Sequence, residues 1–180
     1  MEQLVRKAIK GDGEAFATLI ENNMQSLYKI AWIYLKNDAD VADAVQDTIL
    51  ACFEKIHTLQ NPKYFKTWMI RILINKSTDI VRKKVNVADA ENILESYSFE
   101  PQYEHCEWKL LMNALEEKYS AVLNLYYYDE LSVKEISKLL GVKQNTVLTR
   151  LRRGRRLLRE ELEGGCAFDN EKLVYRHCEK

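Results

Sequence analysis

The chain has 180 residues, enough for one ordinary domain or two small ones, and its content of only two prolines and six glycines favours helices over sheet. Its 27 basic and 27 acidic residues give a formal net charge of zero, which on average argues against a nucleic-acid partner. No stretch approaches the roughly twenty apolar residues of a membrane span and the N-terminus lacks the apolar run of a signal peptide, so we expect a cytoplasmic protein without direct membrane insertion.

The zero net charge hides a strong segregation of charge along the sequence. Five acids and no base lie between residues 37 and 54, whereas residues 63–84 carry seven bases against the single acid Asp79. Six acids follow in residues 85–108 without any Lys or Arg, and residues 143–159 carry seven bases without an acid. Two basic blocks therefore alternate with two acidic ones, and the average charge says little about any one surface.

Two long amphipathic helices are predicted in the first third of the chain. The first is expected from about Glu14 to Lys36, after a short amphipathic N-terminal segment and a Gly-Asp-Gly break at residues 11–13. Asn37 and Asp38 are residue types that open helices, and they predict the start of the second. The predicted apolar face of this second helix consists of Val41, Ala44, Val45, Thr48, Ile49, Cys52, Phe53 and Ile56. Its other face carries Asp43, Gln46, Asp47 and Glu54.

A third helix is predicted from about Lys63 to Arg82, because Asn61 and Pro62 interrupt the preceding pattern. At its start, aromatic residues are interleaved with cations, in the order Lys63, Tyr64, Phe65, Lys66, Trp68 and Arg71. Aromatic faces can stack unpaired bases while cations hold phosphates. One aromatic per helical turn is also the usual pattern of a core, so both interpretations stay open.

The second half of the chain predicts a further helical unit. The acidic stretch from Val85 to about Pro101 has weak periodicity and indicates a linker. Helices are then expected from near Tyr103 to about Glu116 and from Tyr119 to Tyr128, before a helix-turn-helix. The predicted fold class is all-α, with two small helical domains joined by an acidic linker. The predicted boundaries are 1–84 for the first domain, 85–107 for the linker, 108–163 for the second domain and 164–180 for a patternless tail that is consistent with disorder.

The helix-turn-helix is the most specific single motif. Ser132 and Glu135 form a capping box that defines the start of its first helix, and Gly141 can adopt the positive φ that ends it. In the second helix, the apolar residues Val147, Leu151 and Leu158 are spaced to pack inward. The residues available to face outward are Thr149, Arg150, Arg153 and Arg156. This arrangement suits a recognition helix for the DNA major groove.

No catalytic constellation is visible in the sequence. We find no nucleophile with a base, no paired carboxylates and no Gly-rich phosphate loop. The three histidines lie in separate contexts, and the four cysteines are scattered without close metal-ligand spacing. We therefore predict a protein that is not an enzyme and that uses no cofactor, metal or small-molecule substrate.

Four stretches form an ordered set along residues 11–163. They are Gly11 to Phe16, Asp40 to Asp47, Phe65 to Asn75 together with Asp79 to Lys84, and the helix-turn-helix. This set resembles the extracytoplasmic-function sigma factors of the sigma-70 type, two-domain bacterial initiation factors without catalytic activity. The resemblance implies core RNA polymerase and promoter DNA as partners. It leaves an anti-sigma factor open as a further partner, since family members are commonly held inactive by one.

The resemblance assigns roles to residues of the first domain. It implies that Asp43, Gln46 and Asp47 contact the clamp helices of the largest polymerase subunit, where acids complement basic partner residues and keep this face off DNA. It places Asn75 near the pocket that captures a flipped base of the −10 element, an extrusion that costs a few kcal/mol and requires compensating contacts. The predicted −10 contacts are Asn61, Lys63, Tyr64, Phe65, Trp68, Arg71, Asn75, Lys76 and Arg82.

The resemblance also assigns −35 recognition to the second domain. The implied contacts are Lys143, Asn145, Thr149, Arg150 and Arg153. A bidentate arginine contact with guanine contributes about 1 to 3 kcal/mol of discrimination, whereas the other arginines are expected to meet phosphates. Lys143 and Asn145 stand where the family often has Pro and Gly, and Leu148 replaces a common basic residue. The preferred promoter sequence therefore need not follow the common motif.

Two other functions remain open from the sequence. A helix-turn-helix regulator with an N-terminal sensing or dimerisation domain explains the second domain equally well, but gives the acidic second helix and the aromatic-basic third helix no function. A redox or metal sensor would act through Cys166, His177 and Cys178 in the tail.

Overall fold

The computed structural model describes residues 1–88 and 104–164, and every regular element in these two ranges is helical, which confirms the predicted all-α class. The α-helices are α1 (Glu2–Ile9), α2 (Gly13–Leu35), α3 (Asp38–Lys55), α4 (Phe65–Ala88), α5 (Glu104–Asn113), α6 (Glu117–Leu123), α7 (Val133–Leu140) and α8 (Gln144–Gly164). Short 3₁₀ turns lie at Ile56–Thr58 and Pro62–Tyr64, and a π-helical turn lies at Asn124–Tyr128. None of the described helices is long and apolar enough to cross a membrane.

The N-terminal unit consists of α1 to α4, with α2, α3 and α4 packed on one another. Side-chain caps set where its helices begin: the Asp12 carboxylate accepts from the Ala15 N–H at 2.9 Å, and the Asn37 side chain accepts from the Asp40 N–H at 3.1 Å. These caps satisfy N–H groups that a first helical turn leaves unpaired, so Asn37 acts as predicted. The core of the unit includes Leu19, Leu27, Ile30, Val41, Cys52, Phe65, Met69, Ile70 and Leu73.

The buried face of α3 is narrower than the sequence predicted. Cys52 is fully buried, as expected, and burial raises the pKa of its thiol to about 12. The prediction that Phe53 lies on the same buried face is wrong, because its side chain is 60% exposed. One residue turns an α-helix by about 100°, which carries Phe53 past the edge of the packed face. Its ring meets the ring of Phe16 edge-on, with centroids 5.3 Å apart.

The C-terminal unit contains the predicted helix-turn-helix in α7 and α8. The Glu135 carboxylate accepts from the Ser132 N–H at 2.9 Å, and the Ser132 hydroxyl accepts from the Glu135 N–H at 3.3 Å, which confirms the capping box. Gly141 ends α7 with φ 66°, in the left-handed region that favours glycine. At Gly154, α8 approaches α6 so closely that an added Cβ would lie 3.0 Å from Leu123 Cδ1.

Helix α4 continues to Ala88, beyond its predicted end near Arg82, whereas α5 begins at Glu104, next to its predicted start near Tyr103. The rest of the predicted linker and the predicted tail from residue 165 onward lie outside the described residues.

The two units pack against each other along α2. The ammonium of Lys109, on α5, lies 2.9 Å from Asp38 Oδ1 and 3.8 Å from the ring centroid of Trp32. Lys29, on α2, places its ammonium 3.7 Å from the ring centroid of Tyr128. Cation–π contacts gain strength when they are desolvated. The buried apolar side chains also form one continuous cluster across both units, so the described chain has a defined arrangement of its two halves.

Candidate nucleic-acid interface

The acidic residues predicted to bind polymerase lie exposed on one face of α3. Asp43, Gln46 and Asp47 are all exposed. The Asp47 carboxylate lies 3.3 Å from the ammonium of Lys76 on α4. An exposed ion pair of this kind contributes at most about 1 kcal/mol, so it can open at little cost when a partner binds.

Two apolar residues extend this face of α3, and the sequence interpretation did not include them. Leu50 is 55% exposed and Phe53 is 60% exposed. Gln46 follows Asp43 by three residues, Leu50 follows Gln46 by four, and Phe53 follows Leu50 by three. These spacings place all four residues on one stripe of the helix. That spacing was the signal available in the sequence, but Phe53 had been assigned to the opposite, buried face.

A stripe of predicted −10 residues runs along α4. Trp68, Arg71, Asn75 and Arg82 follow one another at spacings of three, four and seven residues, so they share one helical face. Arg71, Asn75 and Arg82 are exposed, and Trp68 is half-buried. Lys76 lies off this stripe, where it pairs with Asp47 of α3. The structure therefore brings four of the nine predicted −10 residues together on one face of α4, while Asn61, Lys63 and Tyr64 lie just before this helix.

The three aromatic residues near the start of α4 have different environments. Phe65 is only 2% exposed and belongs to the core, with its ring centroid 6.1 Å from that of Trp68. Tyr64 is 51% exposed, in a 3₁₀ turn capped by the Asn61 side chain, which accepts from the Lys63 N–H at 3.0 Å. The rings of Tyr64 and Trp68 can therefore contact a base, whereas the Phe65 ring lies in the core and packs against Trp68.

Across a cleft of about 670 Å³, this part of α4 faces α7. Trp68 and Arg71 of α4, with Lys63 and Tyr64 of the 3₁₀ turn before it, form one wall, and Ser132, Lys134, Glu135 and Lys138 form the other. The cleft has four cations against one acid, so it favours an anionic occupant. The Arg71 guanidinium crosses it and donates to the Lys138 carbonyl at 3.1 Å.

Four of the five predicted −35 residues, all except Lys143, line a separate, shallow pocket of about 380 Å³ on α8. Its lining residues are Lys118, Tyr119, Asn145, Thr146, Thr149, Arg150 and Arg153. This lining contains three cations and no acid, a suitable surface for phosphate. Lys143 is exposed just before α8, while Val147 and Leu151 are buried as predicted. Sequence reasoning missed Lys118 and Tyr119, because α6 is brought beside α8 only by folding.

Arg150 lies where the two units meet. It is half-buried, and its charge affects the pKa of Tyr34, which lies near the end of α2 in the other unit. Burial raises the pKa of Tyr34 well above its usual value, the charge of Glu117 adds to this effect, and the charge of Arg150 opposes it. Burial also raises the pKa of Glu117, which Lys36 partly offsets. The charge of Arg150 on α8 therefore acts on a residue of the N-terminal unit.

Within residues 1–84 and 108–163, whose side chains the structure describes, no group of three or more His, Cys, Asp or Glu side chains is placed to hold a metal ion. His57 is exposed. The tail residues of the redox or metal hypothesis, Cys166, His177 and Cys178, lie outside the described part of the chain.

Comparison with known proteins gives two family matches in chain order. Residues 19–86 match the family described as Sigma-70 region 2, and residues 107–158 match Sigma-70, region 4. Two solved structures share the fold. The sigma factor RpoE in complex with the anti-sigma factor NepR from Bartonella quintana has a TM-score of 0.71 at 22% identity, covering 82% of this chain and 96% of that one. CnrH in complex with the cytosolic domain of CnrY has a TM-score of 0.65 at 23% identity, covering 91% and 97%.

Curated relatives give the family assignment. The chain is 32% identical to the RNA polymerase sigma factor SigV of Bacillus subtilis (strain 168) over 148 residues, which cover 81% of this chain and 89% of that protein. It is 29% identical to the ECF RNA polymerase sigma factor SigW of the same strain, over 90% of this chain and 98% of that protein. These matches, with both family regions in order, show that the chain belongs to the extracytoplasmic-function sigma factors of the sigma-70 family.

Proposed function

We propose that this protein binds core RNA polymerase and directs it to start transcription at specific promoters. The observation that carries the proposal is the ordered match to sigma-70 regions 2 and 4, each with its own exposed candidate surface. It acts in the cytoplasm with the polymerase, and the role requires no catalytic residue of its own.

The proposed polymerase contact is the exposed face of α3. Asp43, Gln46 and Asp47 supply polar and negative groups, and Leu50 and Phe53 add exposed apolar surface to the same stripe. Interfaces commonly combine an apolar centre with a polar rim, and a charged rim increases the rate of encounter.

The proposed −10 contact is the Trp68–Arg71–Asn75 stripe of α4, with Tyr64 and the Asn61–Lys63 turn at its N-terminal end. Stacking on an exposed aromatic ring is worth about 1 to 3 kcal/mol per base, comparable to the cost of removing a base from the duplex. The same contacts then recognise the base sequence and stabilise the melted strand.

The proposed −35 contact is the outward face of α8. Asn145, Thr149, Arg150 and Arg153 surround one pocket, and the neighbouring Lys118 adds a further cation. Hydrogen bonds to base edges select the sequence, whereas the other exposed arginines of α8 hold phosphates and contribute to affinity without selection.

We assign residues 1–84 to the polymerase and −10 unit, 108–163 to the −35 unit, 85–107 to the connection and 164–180 to a tail. An anti-sigma factor is a proposed further partner, because the similar RpoE structure is a complex with one. The alternative of a plain helix-turn-helix regulator is not favoured, since it gives the region 2 match over residues 19–86 no function.

Run-off transcription with purified core polymerase over a promoter library tests the proposal. We expect specific transcripts only when the protein is added. The double variant Asp43→Arg/Asp47→Arg should lose polymerase binding and transcription together. Glu21→Arg, a charge reversal at an exposed acid of α2 outside the proposed surfaces, is the control and should retain both. A wild-type protein that binds polymerase without starting specific transcripts would contradict the proposal.

A further inference from the structure

Leu148 is an exposed apolar residue near the start of α8. Its side chain is 51% exposed, whereas the apolar residues that pack this helix onto its neighbours, Val147 and Leu151, are buried. Among the described side chains of α8, only Leu148 and Leu162 are exposed large hydrophobics, and Leu162 lies close to the other end of the helix. Leu148 therefore does not belong to the core, and packing does not account for its apolar side chain.

The neighbours of Leu148 on the helix surface are residues that can bind DNA. Successive spacings of three, four, three and four residues give one exposed stripe, which consists of Asn145, Leu148, Arg152, Arg155 and Arg159. An Asn side chain can pair with the edge of adenine and an Arg side chain with the edge of guanine, and arginines also hold phosphates. Leu148 thus lies between Asn145 and Arg152, one helical turn from each.

The chemistry of leucine limits what this position can contact on DNA. A basic residue, common at this position in the family, would bind a phosphate whatever the base sequence, and leucine cannot do so. The N-terminal residues of a recognition helix lie against base edges in the major groove. The apolar group that those edges present there is the C5 methyl of thymine. An exposed leucine in the second turn of α8 is therefore suited to that methyl group.

We propose that Leu148 is a specificity-determining residue that contacts the C5 methyl group of a thymine in the −35 element. The contact removes apolar surface of both groups from water, and no other base offers an equivalent group. Leucine at this position therefore contributes selection where a cation would contribute affinity without selection. This inference rests on the proposed function, because the −35 role of α8 is itself proposed.

Replacement of thymine by uracil tests the contact, because uracil lacks only the methyl group. Holoenzyme made from the full-length protein and core polymerase first selects its preferred duplex from a promoter library by binding. Each thymine of the −35 element, on either strand, is then replaced in turn by uracil, and the dissociation constant of each duplex is measured. At one position the wild type should bind uracil about fourfold more weakly, which corresponds to about 0.8 kcal/mol for one buried methyl group.

Three variants show whether Leu148 makes this contact. Leu148→Ala should bind the thymine and uracil duplexes equally at that position, and it should remain folded because the side chain is exposed. Leu162→Ala, the matched control, removes the other exposed leucine of α8 and should keep the fourfold difference. Thr149→Ser removes a neighbouring methyl group and should keep it too. The inference is overturned if Leu148→Ala keeps the full difference, if Thr149→Ser alone loses it, or if the wild type distinguishes uracil at no position.

The readout is binding and does not depend on RNA synthesis. A holoenzyme that binds its selected duplex but starts no specific transcripts would contradict the proposed function, while the comparison of thymine with uracil would still test Leu148. Specific transcription together with equal binding of thymine and uracil would overturn the inference on Leu148 alone. If the protein does not join the polymerase, the same selection and the same uracil duplexes with the full-length protein alone carry the test.

Discussion

The two candidate DNA surfaces, on α4 and on α8, are presented differently. The α4 surface mixes aromatic rings with cations and faces α7 across a cleft, and Arg71 hydrogen-bonds to an α7 carbonyl. The α8 surface is dominated by arginine, and Arg152, Arg153 and Arg155 are exposed. A duplex can approach the arginines of α8 as they stand, whereas a melted strand has to displace protein contacts at α4. The difference suggests that −35 contact can precede −10 contact.

The largest expected effect is on the free energy of unfolding, and it distinguishes the buried aromatic residue that begins α4 from the exposed one just before it. Phe65→Ala should lower the free energy of unfolding by about 3 to 5 kcal/mol, because it leaves a cavity under α4. Tyr64→Ala should change it by less than about 0.5 kcal/mol, because the ring is exposed. Urea unfolding measures both. A Phe65→Ala protein of nearly normal stability would show that this ring is not a core element.

A second prediction tests whether α8 selects sequence. Arg150→Ala should reduce −35 discrimination by about 1 to 3 kcal/mol, roughly fivefold to 160-fold, if this guanidinium contacts a base. Arg155→Ala, an exposed α8 arginine outside the pocket, should weaken binding equally on all sequences. Competition binding of polymerase holoenzyme to promoter variants measures this. Unchanged promoter preference for Arg150→Ala would contradict its assignment.

A third prediction tests the melting role of α4. Trp68→Ala should lower the yield of open complex by about tenfold, because stacking on one aromatic ring contributes about 1 to 3 kcal/mol. Asn75→Ala should lower it too, through lost hydrogen bonding to the captured base. Closed-complex binding to duplex promoter should change much less. Permanganate reactivity of unpaired thymines reports opening, and an equal loss in both steps would indicate a general binding role instead.

The smallest expected effect concerns α7, which lies between the two surfaces. Ser132→Ala should lower the free energy of unfolding of the C-terminal unit by about 1 kcal/mol, because the capping box is lost. Hydrogen bonds from Ser132 lower the pKa of Glu135. The contribution of Glu135 is therefore present above its unfolded-state pKa of 4.5 and is lost as the pH falls through the lower folded value. Thermal unfolding of the wild type and of Ser132→Ala should show a difference in stability at neutral pH that becomes smaller at acidic pH.

The helices and their caps were predicted well, because the residues that determine them lie within a few positions of one another in the sequence. Asn37, Ser132 with Glu135, and Gly141 act at the helix ends where they were predicted to act. The stripe on α4 also follows from helical spacing alone. Phe53 was misplaced because periodicity gives the direction of a side chain but not the width of the face that a neighbouring helix covers.

By itself, the sequence determined the helical class, the helix-turn-helix and the charge of each candidate surface, since these depend on residue type and spacing. Only the tertiary structure decided that Phe65 is core while Tyr64 is exposed, that Lys118 joins the α8 pocket, and that Asp129 meets Ser26 and Lys66. The last two contacts join residues 103 and 63 positions apart. No local pattern encodes such a pair, because it forms only when packing of the apolar faces brings the two units together.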